Sequence, residues 1–166
     1  MKRILTALLV PFLLAASGVN AADTGNAGLE PARQTVDKNG SQGSFAGPES
    51  FFTGRVKVDM LFSPTKELPA SGACVTFEPG ARSAWHTHPA GQILIVTSGI
   101  GLTREWGGPL VEIRPGDVVR CPVGVKHWHG AAPDSWFQHL AVEVPGERCG
   151  NEWCEPVSDE IYKKLK

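Results

Sequence analysis

The sequence has no surplus of basic charge: 16 Lys and Arg stand against 17 Asp and Glu over 166 residues. Nothing in it supplies the electrostatic footprint that nucleic acid requires. It also lacks an amphipathic helical stretch of useful length before the C-terminus, which turns the reading away from helical folds. No internal repeat occurs, so a duplicated architecture is not expected. The four cysteines, Cys74, Cys121, Cys149 and Cys154, are not spaced as a tetrathiolate metal site. The apolar run at residues 4–16 is too short to span a bilayer.

That run does fit a secretory signal. Lys2 and Arg3 precede it, and Val19-Asn20-Ala21 ends in the small residue that signal peptidase prefers. Residues 1–21 are therefore expected to be removed and the protein to be periplasmic or secreted. No cysteine follows directly, which argues against a lipid anchor, and no stable membrane association is expected after cleavage. Removing Lys2 and Arg3 leaves 14 basic against 17 acidic side chains, a net charge of −3. An oxidising compartment would permit disulfides. Cys149 and Cys154 flank a small loop that one could close. Cys74 and Cys121 could also pair, or could be free and buried; four cysteines allow three connectivities.

Residues 22–42 are rich in Gly, Ala, Asn, Asp and Gln and read as a flexible lead-in. From residue 43 onward, one domain is expected. Short apolar runs at 73–77, 92–97, 102–106, 110–113, 118–121 and 136–144 each stop at Gly- or Pro-containing turns. Strands at such spacing mean an all-β sandwich or barrel. Residues 158–165 could close the chain with a short helix, capped by Ser158.

All five histidines lie between positions 86 and 139. His86, His88 and Gln92 differ by even numbers, so an extended backbone puts them on one face. His127, on another strand, could complete a set of three imidazoles and one amide oxygen. By softness this set suits Mn, Fe, Ni, Co or Zn, and composition does not choose among them. The set is neutral, so a bound divalent ion would keep its full charge as a Lewis acid. His129 and His139 are left over as candidate acid/base groups, because imidazole titrates near neutral pH. The alternative for His139 is that it orients a ligand histidine; for His129 it is a place on the rim. Trp85 and Trp128 flank the ligands and suit packing better than a substrate platform. Ala73, Val75 and Phe77 suit the barrel interior. Arg82 and Arg120 could pair with acidic residues or with an anionic substrate.

The spacing is also specific. Gly80, five residues, His86, one residue, His88, three residues, Gln92, six residues, Gly99 forms one string. Gly116, five residues, Pro122, one residue, Gly124, two residues, His127 forms the second. Together they resemble the two motifs of the cupin family, with Gln92 where the first usually has Glu and Ala131 where the second usually ends in Asn. The resemblance implies a single-domain jelly-roll barrel over residues 43–166, with His86, His88, Gln92 and His127 as metal ligands.

The strings Trp85-His86-Thr87-His88-Pro89 and Lys126-His127-Trp128-His129-Gly130 look narrower still. With Val75-Thr76-Phe77-Glu78-Pro79-Gly80-Ala81-Arg82, they are similar to the small bacterial manganese-dependent cupin hydroxynitrile lyases, where Gln likewise replaces the first-motif carboxylate. That likeness implies manganese, a small-molecule substrate, a dimer or tetramer, and His129, His139 and Ser83 as catalytic groups around the metal. Glu143 departs from it, matching a Gln in those relatives, and would add negative charge near the site. A metal-dependent dioxygenase and a non-catalytic ligand-binding barrel are the alternatives to the lyase.

Overall fold

The computed structural model describes residues 33–144 and 151–162, and among these residues it has thirteen strands and one helical turn. The strands are β1 (Ser44–Ala46), β2 (Phe52–Thr53), β3 (Val56–Phe62), β4 (Ser71–Phe77), β5 (Arg82–Ser83), β6 (His86–Thr87), β7 (Gln92–Gly99), β8 (Gly101–Glu105), β9 (Val111–Ile113), β10 (Val118–Cys121), β11 (His127–Ala131), β12 (Phe137–Glu143) and β13 (Glu152–Trp153). The helix is α1 (Asp159–Tyr162). All of these belong to the compact unit Thr35–Lys166. The signal segment at 1–21 lies outside the described residues. So does the lead-in up to residue 32; its remaining part, 33–42, is exposed and holds no strand. No described helix is long and apolar enough to cross a membrane.

The strands form two sheets. One runs β1-β3-β4-β12-β7-β10; the other runs β13-β6-β11-β5-β2, with β8 pairing β11 and β9 beside it. Every pairing is antiparallel. This two-sheet barrel is the all-β fold that the sequence implied. Alternation explains which residues turn inward. Val56 and Val58 of β3, Val75 and Phe77 of β4, Leu94 and Val96 of β7, and Phe137 and Ala141 of β12 share one buried cluster, against which Ala73 packs.

β11 differs, because all five of its residues are buried. Ala131 joins the barrel core, whereas Trp128 joins a second cluster with Trp85, Leu102, Ala132, Val157 and Tyr162. That second cluster lies under the C-terminal segment. Arg82 fastens this segment: its Nε and Nη2 donate to the Val157 carbonyl at 3.1 and 2.9 Å, and Nη2 meets Asp159 at 2.7 Å. The Tyr162 hydroxyl donates to the Ala131 carbonyl at 2.7 Å. Ser158 caps the helix as expected, accepting from the Ile161 N–H at 3.3 Å. Of the open choices for Arg82, the structure takes the acidic partner, and Trp85 and Trp128 pack.

Cys74, Cys121 and Cys154 are free thiols. Cys74 on β4 and Cys121 on β10 cannot pair, because β12 and β7 lie between their strands; three strand spacings come to about 14 Å. Cys154, one of the two cysteines that could close a small loop, is a free thiol, and Cys149 lies outside the described residues.

Candidate metal centre

Strand register brings the histidines together. On β6 and β11, His86 and His127 are directly opposite. On β7 and β12, Gln92 is opposite Glu143, and on β10 it is opposite Cys121. Between His88 and Gln92 the chain turns through Gly91, whose φ is 83°; a Cβ there would stand 2.8 Å from the Cys121 carbonyl oxygen. Glycine is therefore required for the first motif to fold back against β10.

The nitrogens of His86, His127 and His129 lie within 4.8 Å of one another. His88 stands beside them, its ring centroid 5.0 Å from that of His86 and 5.3 Å from that of His127. His86, His88, Gln92, His127 and His129 are all buried. The tightest group thus includes His129, which the sequence reading set aside as a proton carrier, and has His88 at its edge.

The direction of the polar atoms says what the group suits. His86 Nδ1 reaches the Ala84 carbonyl at 2.9 Å, and His127 Nδ1 the Val125 carbonyl at 3.0 Å. Carbonyls only accept, so both rings carry their proton on Nδ1 and keep a lone pair on Nε2. His88 Nδ1 faces Asn151 Oδ1 at 2.8 Å, and its Nε2 is buried without a hydrogen-bond partner among the described residues. The Gln92 amide nitrogen donates to Glu143 at 2.5 Å, and its Oε1 faces His127 Nε2 at 3.4 Å. Two acceptors facing each other attract only when something positive lies near. Three imidazole lone pairs and one amide oxygen, with their donors turned away, fit a cation of the kind that nitrogen and oxygen ligands hold.

Burial sets the protonation states. It pushes His86 down to about 3, helped by the neighbouring His127, and His127 down to about 4. His139 falls to about 4, and His129 lies well below the ordinary imidazole range, again from burial first. The Glu143 charge raises His86, His127 and His139 but does not offset burial. All four rings are neutral at pH 7. Burial would raise Glu143 itself, but the His88 ring and the amides of Asn151 and Gln92 bring it down to about 2. His86 and His127 are neutral candidate ligands, yet a carboxylate stands one hydrogen bond behind Gln92.

The three residues expected to act around the metal differ in what they do. His129 is in the cluster, and its Nδ1 is buried without a partner among the described residues. The His139 ring lies edge-on to His129, with centroids 4.9 Å apart, and packs against Phe77 and Phe137. Among the described residues neither of its nitrogens makes a hydrogen bond of good geometry, so it does not orient a candidate ligand histidine that way. The Leu140 backbone only tempers the effect of burial on it. Ser83 accepts the His129 backbone N–H at 3.2 Å; it holds β11 in place.

Sequence reasoning missed Asn151. It comes from the segment after the last long strand, and nothing in its spacing connects it to the motif. The same segment brings Trp153, opposite His86 in register and stacked on its ring at 4.8 Å.

Two cavities differ in relevance. A groove of about 750 Å³ along β1 and β3 contains no histidine. A smaller one, about 200 Å³, reaches His127 between β8 and β10, with Thr103, Val119, Arg120, Cys121 and Val125 in its lining. The smaller one is beside the chemistry. The Cys121 thiol in its wall is pushed up to about 12, chiefly by burial, so it stays protonated in the metal-free protein at neutral pH.

Residues 73–142 match the family described as Cupin domain. Over 129 residues the chain is 50% identical to an (R)-mandelonitrile lyase from Granulicella tundricola, spanning 78% of this chain and 98% of that protein. A crystal structure of a cupin-like protein from Thermotoga maritima superposes with a TM-score of 0.69 at 42% identity, covering 79% of this chain and 96% of that one. A cupin-2 domain from Rhodospirillum rubrum shares the fold at 22% identity, with a TM-score of 0.61 over 75% of this chain and 84% of its own.

Proposed function

Because this chain belongs to the cupin family, we propose that it is a metal-dependent carbon–carbon lyase of the hydroxynitrile lyase kind. Such an enzyme splits a cyanohydrin into an aldehyde and HCN, or joins the two. His86, His88, Gln92 and His127 would hold the ion, with manganese first among the candidates. When bound, a divalent ion supplies Lewis acidity toward negative charge developing on oxygen. The remaining work falls to the protein. His129, neutral and buried beside the ligands, accepts the hydroxyl proton. The C–C bond breaks, its electron pair leaves with cyanide, and the proton passes to cyanide as HCN. His139 backs His129 with a second neutral imidazole. The apolar wall of Ala73, Val75 and Phe77 excludes water.

One observation carries this reading: the cluster's acceptors face inward and its donors outward, beside a neutral imidazole that is free to take a proton. The identity to a mandelonitrile lyase supports the substrate class. A small-molecule substrate, a homo-oligomer and a periplasmic location complete the proposal, the last resting on the character of residues 1–21. The test is mandelonitrile cleavage under nitrogen by metal-loaded protein. Turnover without oxygen is the expected result. Substrate-dependent oxygen uptake with no aldehyde released under nitrogen would replace the lyase by a dioxygenase.

A further inference from the structure

Glu143 and Asn151 are the residues through which two expected ligands meet the rest of the protein. The Glu143 carboxylate takes the Gln92 amide on Oε1 at 2.5 Å and the Asn151 amide on Oε2 at 3.1 Å. The Asn151 amide has two ends. With its nitrogen on Glu143, its oxygen is left to accept, and His88 Nδ1 stands 2.8 Å from it. His88 Nδ1 is 3.6 Å from Glu143 itself, too far for a hydrogen bond of its own. The connection from Glu143 to His88 therefore runs through Asn151.

Each link in this chain has a fixed direction. A carboxylate accepts and cannot donate, so Gln92 must present its nitrogen to Glu143 and turn its oxygen toward the histidines. For the same reason Asn151 must present its nitrogen to Glu143 and its oxygen to His88. His88 must then carry its proton on Nδ1, which leaves a lone pair on the buried Nε2. His86 and His127 need no such help, because backbone carbonyls two residues back fix them. Among the described residues no backbone group does this for the side chains of His88 and Gln92, and the carboxylate supplies the direction.

We infer that Glu143 and Asn151 are positioning residues: they set the tautomer of His88 and the amide orientation of Gln92 so that both present acceptors to the cluster. This rests on the metal reading for its purpose, but its geometry does not need the metal. It also gives the C-terminal segment a role at the site, since Asn151 precedes β13, which pairs with β6 beside the ligands.

The experiment uses the full chain and has two readouts. In metal-free protein labelled with ¹⁵N-histidine, long-range proton–nitrogen correlation spectra report the tautomer of each ring. His88 is expected as the Nδ1–H form in the wild type and to lose that single form in Asn151→Ala and Glu143→Ala. His86 and His127 serve as internal controls and keep theirs, which also shows that the variants fold. Titration with Mn(II), followed by the electron paramagnetic resonance of the free ion, should show affinity weakened by about tenfold to a hundredfold in each single variant. The double variant should be within about twofold of Glu143→Ala, because Asn151 acts through Glu143. An unchanged His88 tautomer in both variants overturns the inference. So does an Mn(II) affinity equal to wild type in both, or losses that add in the double variant. If His86→Ala binds Mn(II) as tightly as wild type, the metal reading fails, and the tautomer spectra still decide the positioning.

Discussion

Gln92 and Glu143 sit directly opposite each other on β7 and β12, and the glutamine amide donates to the carboxylate at 2.5 Å. The pair links a buried set of neutral groups to a formal charge. Both carboxylate oxygens are occupied by amides, so the carboxylate stands behind the set while its charge still acts on the histidines.

His86 lies at the centre of the cluster, with His88, His127 and His129 all around it. His86→Ala is expected to lose most of its bound metal. Elemental analysis of the purified protein would check this, and metal content equal to wild type would remove His86 from the ligand set.

Glu143→Gln takes a negative charge from beside the site while keeping the shape of the side chain. Mandelonitrile cleavage per bound metal ion is expected to rise severalfold, because cyanide is less repelled and the ion's charge is less offset. Rates are to be normalised to metal content, since retention should fall in the same variant. An unchanged normalised rate would show that the charge has no bearing on the reaction.

The buried histidines make the metal-free fold sensitive to acid. His139 titrates near 4 in the folded chain but at about 6.5 when unfolded. As pH falls, the unfolded chain takes up the proton first. The contribution of His139 to stability is therefore complete above about 6.5 and is lost as pH drops toward 4, on the order of 3 kcal/mol. Glu143, lowered to about 2, extends the loss below its ordinary range. Urea midpoints at pH 7, 5.5 and 4 should decline steadily, and less steeply in His139→Gln. A midpoint independent of pH would contradict the burial of these rings.

Arg82 is buried and ties the C-terminal segment to the barrel through the Val157 carbonyl and Asp159. Arg82→Ala leaves that carbonyl without its donor and is expected to cost about 3 kcal/mol. Equilibrium urea unfolding would measure it. A loss under about 0.5 kcal/mol, the scale of an ordinary surface change, would show that the segment is held by Val157 and Tyr162 packing alone.

Much of the barrel is legible in the sequence. β4, β7, β10 and β12 are short apolar runs whose turns are marked by Gly and Pro; in β4 the apolar residues alternate, whereas in β7 only their burial does. β11, the strand on which His127 was expected, is buried on both sides, and His-Trp-His-Gly-Ala has no alternation from which its bounds could be read. β5, β6 and β13 are two residues each, too short for any period. β3 does alternate over its first four residues, yet it lies where only the onset of order was expected.

The sequence by itself determined which residue types stand at the candidate ligand positions and how they are spaced. Even-numbered separation along an extended backbone is a local property, so His86 and His88 need no distant information to be recognised. Tertiary structure alone decided what stands behind them. Opposition of Gln92 to Glu143 depends on which strands pair and in what register. The contact of Asn151 with His88 joins residues 63 positions apart. Hydrogen bonds of that kind depend on distance and direction in space, which no spacing along the chain records.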